Sequence, residues 1–215
     1  MTYRVGVDLG TSTLVAAVRR TDAAAELVQL GSGRPELWVE EVRDPGWSAE
    51  QATAALLTLA RDRAAALVGG PAEELVLAVP GWWGDAERAS FDAAVELAEL
   101  PAVRRIDQAE AAALGYAARV HVPDGARIAV IDLGAGSCAA TVLQRGPDGF
   151  TVLAGTGAAH PCGNDFDEAV SRLVVGGLGS RAGGIAGGSE AAAVRRACRT
   201  AREAASAAPR VEVAL

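Results

Sequence analysis

The polar and apolar positions fall into a regular succession of short strands and amphipathic helices. Apolar residues alternate with others over Tyr3–Val7 and Leu14–Arg19, and Leu27–Leu30 follows as a third short strand. Gly31 to Trp47 is polar and irregular, with Pro35, Pro45 and Gly46. Ser48-x-x-Gln51 has the form of a capping box, and Ala52, Ala55, Leu56, Leu59, Ala66 and Leu67 then make one face of a helix to about Val68, closed by Gly69-Gly70-Pro71. Leu75–Val79 reads as a buried parallel strand. Asp85 is expected to cap a helix with Phe91, Ala94, Val95 and Ala98 on its buried face, stopped at Pro101. Val103–Ile106 is a strand, and Asp107-x-x-Glu110 a second capping box opening a helix from Gln108 to about Val120.

Past a linker at His121–Arg127 the pattern returns to strands, at Ile128–Ile131, Cys138–Gln144 and Thr151–Ala154. Asn164 with Asp167 is expected to start a helix to about Val175. Gly176 to Gly188 holds seven glycines and reads as a flexible connector, Ser189 as the cap of a last helix to about Ala207, and Val211–Leu215 as an apolar end. Strands interleaved with helices imply an α/β fold with a mixed sheet.

Two of these strand clusters are copies of one another. Shifting the chain by 124 positions superimposes Asp8 on Asp132, Leu9 on Leu133, Gly10 on Gly134 and Thr13 on Ser137. The register continues until Gly31-Ser32-Gly33 meets Gly155-Thr156-Gly157. A single D-x-G means little; two such hairpins at constant offset point to a duplicated fold with two facing halves. The turn chemistry suits a phosphate clamp. Gly10, Gly134 and Gly136 are expected to adopt positive φ and bring backbone N–H groups to an anion, while Thr11, Ser12, Thr13 and Ser137 add hydroxyls. Asp8 and Asp132, at strand ends, are placed to hold a hydrated Mg²⁺ or orient a water.

Composition narrows the function classes. The chain has 215 residues, half of them apolar, and no apolar run of membrane-spanning length; it goes into a strand at Tyr3 without a leader, so a soluble protein is expected. The formal charge of −7 argues against a nucleic-acid partner. Three cysteines (Cys138, Cys162, Cys198) without ligand spacing and only two histidines argue against structural zinc and a disulfide framework, and fit a reducing cytoplasm. All twenty basic residues are arginine, so no step within this chain can use a lysine ammonium.

Four segments, in order, resemble the 70-kDa heat-shock chaperone family of the actin and sugar-kinase superfamily. VGVDLGTST is similar to its first phosphate loop; VPGWWGDAERASFDAAVELAEL to its VPAYFNDAQR segment; IDQAEAAALGY to its NEPTAAALAYG hinge helix; and IAVIDLGAGS with GAAHPCGNDFDEAV to its DLGGGT loop and GDTHLGGEDFD segment. The resemblance implies an actin-like ATPase fold of duplicated ribonuclease H-like lobes. Residues 1–121 would be lobe I, complete but shortened, and 122–215 a partial lobe II including the connector at 176–188. Mg-ATP or ADP would lie between the two D-L-G turns. The implied catalytic residues are Asp8, Asp132 and Ser137, with Mg²⁺ held through water by the two aspartates. The implied nucleotide contacts are Gly10, Thr11, Ser12, Thr13, Gly134, Ala135, Gly136 and Gly163, with Arg199 and Arg202 aligned to the family's adenine-flanking Glu and Lys. Pro80 matches the proline of the family's relay between nucleotide and peptide domains.

The departures matter as much. The family's catalytic lysine belongs to a segment shortened here to Ser32–Trp47; its relay glutamate is Gln108, followed by Ala109 for proline. Ala135 replaces the middle glycine of DLGGGT, Cys162 the first glycine of GGEDFD, and Asn164 its glutamate. The family's adenosine loop and peptide-binding domain have no counterpart in the chain. The expectation is a chaperone-like nucleotide-binding module with weak or absent ATPase activity. A small-molecule kinase of the same superfamily and a non-catalytic scaffold are the alternatives. An open second-lobe sheet edge at Ile128–Ile131 is expected to self-associate or take a partner chain.

Overall fold

In the computed structural model, which describes residues 2–178 and 188–213, the alternation at the N-terminus becomes a one-sided sheet. Strand β1 (Tyr3–Leu9) buries Tyr3, Val5 and Val7, and β2 (Thr13–Arg20) returns antiparallel to it with Leu14, Ala16 and Val18 buried. Then come β3 (Glu26–Leu27), β4 (Leu37–Trp38), helix α1 (Ala49–Val68), β5 (Glu74–Val79), α2 (Asp85–Leu97), β6 (Val103–Asp107) and α3 (Gln108–Ala117). The first sheet has the order β3-β2-β1-β5-β6, with β4 also on β2. β1, β5 and β6 are parallel, as their helical crossovers require. The buried residues of β1 and β5 join Leu56, Leu57, Ala60 and Ala64 of α1 and Phe91 of α2 in one core, against which the half-buried Val103 of β6 packs.

The helix ends follow local chemistry. Ser48 Oγ accepts the Gln51 N–H at 3.2 Å while Gln51 Oε1 accepts the Ser48 N–H at 2.9 Å, the reciprocal box expected from the sequence. Gly69 ends α1 in the left-handed region, φ 89°, its N–H on the Ala65 carbonyl. Asp107 caps α3 through Oδ1, which accepts the N–H groups of Ala109 and Glu110. At α2 the expectation fails. Gly84 is the N-cap, Glu87 accepts its N–H at 3.1 Å, and Asp85 is the first helical residue, its charge merely favourable to the helix dipole.

A second, three-stranded sheet has the order β7 (Arg127–Leu133), β8 (Cys138–Gly146), β9 (Gly149–Ala158). Leu143 and Phe150 pack with Ala109 and Ala113 of α3. The repeat holds through the first two strands and diverges at the third. β9 runs for ten residues, whereas its counterpart is reduced to the two-residue β3, although the Val28 N–H still reaches the Ala16 carbonyl. In its place Leu37-Trp38, within the stretch expected to be irregular, pairs with Leu14 and Thr13.

The chain divides into two compact units, one of residues 1–132 and 138–157, the other of 133–137 and 158–215. In the second, α4 (Gly163–Leu178) packs on α5 (Gly188–Ala205), burying Val194, Cys198 and Ala201. Gly176 and Gly177, expected to begin a connector, are still helical in α4. The remainder of that connector at 179–187, the Ser189 side chain and the last two residues lie outside what is described. Among the described residues, no helix is long and apolar enough to cross a membrane.

Candidate functional site

The strand ends deliver the carboxylates. Asp8 stands near the end of β1 and Asp132 near the end of β7, and both line a cavity of about 250 Å³ in the first unit. Asp107, Gln108, Trp82 and Thr141 line the same cavity. Gln108 Nε2 donates to Asp8 Oδ1 at 2.9 Å. Burial, and after it the charge of Asp8, push the Asp132 carboxyl above the ordinary carboxylate range. A carboxyl whose charged form is disfavoured, with a second carboxylate lining the same cavity, forms a donor set that a hydrated divalent cation would relieve; the residues therefore fit Mg²⁺.

Both D-L-G turns close in the same way. Gly10 N–H donates to the Thr13 carbonyl at 2.8 Å, and Gly134 N–H to the Ser137 carbonyl at 2.9 Å. In each turn the next two N–H groups, of Thr11 and Ser12 and of Ala135 and Gly136, make no backbone hydrogen bond among the described residues. Adjacent unpaired N–H groups form an anion-binding concavity, so each turn fits a phosphate. Positive φ is not how they do it. Among the described residues the left-handed glycines are Gly33, Gly69, Gly125 and Gly149; Gly10, Gly134 and Gly136 are not among them. A Cβ on Gly10 would meet only ordinary contacts, at 3.4 Å from the Thr13 carbonyl oxygen, so the local fold does not itself demand glycine there.

The first turn is buttressed by a residue sequence reading missed: the Val39 N–H donates to the Ser12 carbonyl at 2.9 Å, where β4 runs into a single 3-10 turn. The apolar, strand-favouring run Leu37-Trp38-Val39 was the available signal. The second turn is anchored to α4, since Gly163 and Asn164 donate their N–H groups to the carbonyls of Gly134 and Ala135 at 2.9 and 2.8 Å. A Cβ on Gly163 would stand 3.1 Å from the Ala135 Cα, which accounts for glycine at this position by packing.

Gly81, where the resembled segment has alanine, is likewise imposed by a neighbour: a Cβ there would overlap Asp107 Oδ2. Trp82 then lies flat against Gly157 of β9, which leaves no room for a Cβ. Arg199 and Arg202 meet at one carboxylate: their Nε atoms donate to Asp167 at 3.0 and 2.6 Å, and Asp167 is buried. Asp167 is thus the tie between α4 and α5 and takes no part in starting α4. That role falls to Asp165, whose Oδ2 accepts the Cys162 N–H at 2.7 Å. Although the cysteines lack ligand spacing along the chain, His160, Cys162 and Asp165 bring their side-chain donor atoms within 4.8 Å of one another.

Comparison with known proteins adds the family. The profile described as Hsp70 protein matches residues 19–214, nearly the whole chain. The chain belongs to the Hsp70 family. It is 32% identical over 176 residues to the chaperone protein HscA homolog of Pseudomonas fluorescens, the alignment covering 82% of this chain and 28% of that protein. It is 33% identical over 130 residues to chaperone protein DnaK 3 of a Synechococcus species, covering 60% of this chain and 20% of the other. The chain thus spans under a third of the length of these Hsp70 relatives. Family membership brings with it an Hsp70-like nucleotide-binding domain of actin-like ATPase fold, with which the mixed α/β content and the two sheets agree.

Proposed function

We propose that this Hsp70-family chain is a module binding ATP or ADP with Mg²⁺, with weak or absent ATPase activity. The observation that carries the reading is the pair Asp8 and Asp132, at equivalent ends of repeated strands, converging on one cavity. In this reading residues 1–121 act as lobe I and 122–215 as part of lobe II. Phosphates are taken by the N–H groups of Thr11, Ser12, Ala135 and Gly136 and by the hydroxyls of Thr11, Ser12, Thr13 and Ser137. Bound Mg²⁺ supplies charge neutralisation on the phosphates; Asp8 and Asp132 hold its waters, and Gln108 fixes the Asp8 carboxylate.

Turnover is expected to be slow because the chain contains no lysine to place on the transferred phosphoryl group. Losing one preorganised donor of that kind costs about 10²–10³-fold in rate. Gln108, where the family has its relay glutamate, is neutral and cannot act as an acid or base. We further propose a cytoplasmic location, and pairing of the β7 edge with another strand, of a second copy or of a partner chain. Ile131 and Leu133 are 75% and 60% exposed along that edge.

A thermal-shift titration with ATP and ADP, with and without Mg²⁺, tests the module. Wild type should be stabilised by Mg-nucleotide, and Asp8→Ala and Asp132→Ala should lose the Mg²⁺-dependent part while remaining folded. Unchanged Mg-ATP affinity in both variants would sink the assignment. No shift with any nucleotide in wild type would favour a scaffold that kept only the fold, and phosphate transfer to a sugar panel would reveal a kinase.

A further inference from the structure

The turn that leads from β9 into α4 carries a donor set that nucleotide binding does not use. We propose that His160, Cys162 and Asp165 form a binding site for a tetrahedral, thiolate-accepting divalent cation of the Zn²⁺ type. The three side chains offer one imidazole nitrogen, one sulfur and one carboxylate oxygen, all within 4.8 Å of one another. His160 Nδ1 already lies 2.9 Å from the Asp165 carboxylate. Metal–ligand distances of about 2.0–2.3 Å in a tetrahedral Zn²⁺ site place donor atoms about 3.3–3.8 Å apart. Small side-chain rotations that ease the imidazole nitrogen and carboxylate oxygen apart and bring all three donors to that spacing complete the geometry.

The surrounding structure supports the set. Asp165 Oδ2 is held by the Cys162 N–H at 2.7 Å, the cap of α4, which leaves Oδ1 to the metal and fixes the carboxylate's orientation. Capping alone accounts for Asp165; it accounts for neither the imidazole nor the thiol converging on the same carboxylate. Cys162 is buried at 2% exposure, whereas the His160 side chain is 78% exposed, so the soft ligand is sheltered while the imidazole is in contact with solvent. The H-P-C-G-N-D stretch provides three ligands within six residues, leaving the fourth position to water. A thiolate and an imidazole select against Mg²⁺, which takes hard oxygen donors, so this site and the aspartate pair do not compete for one ion. Bound metal fastens the start of α4, where Gly163 and Asn164 hold the second D-L-G turn.

The 215-residue chain without a tag, reduced and freed of metal, should be titrated with Co²⁺ and followed by absorption, then with Zn²⁺ against a chromophoric chelator. One equivalent of Co²⁺ should give a thiolate-to-metal charge-transfer band and the visible bands of tetrahedral coordination. Cys162→Ser should abolish the charge-transfer band, while Cys138→Ser and Cys198→Ser leave it intact. His160→Ala, at an exposed side chain whose removal leaves the α4 cap in place, should weaken Zn²⁺ by more than the roughly 10–100-fold that loss of an outer-shell partner costs. Lack of the band in wild type, its survival in Cys162→Ser, or unchanged Zn²⁺ affinity in His160→Ala would each overturn the proposal. Should Cys162→Ser fail to fold, His160→Ala decides alone.

Discussion

Asp167 is the point at which the helical second unit is most exposed to a single change. It is 6% exposed and accepts Nε–H bonds from two arginines, Arg199 at 3.0 Å and Arg202 at 2.6 Å. Hydrogen bonds to charged partners contribute about 1.5–3 kcal/mol each, so Asp167→Ala removes about 3–6 kcal/mol of gross interaction. The arginine side chains are 20% and 32% exposed, so each recovers part of its hydration once the carboxylate is gone. That draws the expected loss to the lower end, about 3 kcal/mol, still a large share of the roughly 5–15 kcal/mol of a typical domain. Asp167→Asn, which keeps the volume and loses the charge, should cost about half as much, and Arg199→Ala less again because Arg202 stays. All four tryptophans and both tyrosines lie in the first unit, so intrinsic fluorescence is blind to this change. Amide hydrogen exchange is the suitable assay: about 3 kcal/mol corresponds to roughly 100-fold faster opening of α4 and α5, at one tenfold step per 1.4 kcal/mol. Protection in α4 and α5 within twofold of wild type in Asp167→Ala would refute the assignment of Asp167 as their tie.

Gly81→Ala should destabilise by about 1–3 kcal/mol, since the new methyl displaces Asp107 from its cap on α3; in Asp107→Ala the same substitution should be nearly neutral, a coupling read from a denaturation double-mutant cycle. Asp132→Asn should raise the metal-free melting temperature at pH 7 by an amount worth less than about 1 kcal/mol, because the carboxyl still meets water. The folded carboxyl binds its proton more tightly than the unfolded one, so its penalty is full above the raised pKa and gone below the ordinary 3.8; the variant's advantage should shrink on acidification towards that value, and a pH-independent difference would contradict it. Ile131→Lys on the exposed β7 edge should reduce self-association in light scattering, and a wild type monomeric at high concentration would end the edge-pairing proposal.

What the sequence by itself determined was set by short-range rules. The alternation of Tyr3, Val5 and Val7 buries one face of β1, the Ser48 and Gln51 spacing closes a box, and Asp107 caps α3; each depends on residues a few positions apart. The two D-L-G turns also emerged from sequence alone, since a repeat in register is a statement about residue order, and their matching Gly10 and Gly134 hydrogen bonds agree with it. Contacts between residues distant along the chain were decided elsewhere. Nothing in the order of residues reveals that Gln108 reaches Asp8 across 100 positions, that Gly81 makes room for Asp107, or that Asp167 gathers Arg199 and Arg202 from the next helix. The cysteine spacing pointed away from a metal, yet a turn and a helix start bring His160, Cys162 and Asp165 together. Local propensity acts through neighbours along the chain, whereas a site is a convergence of side chains in space, and only the packed tertiary structure specifies that convergence.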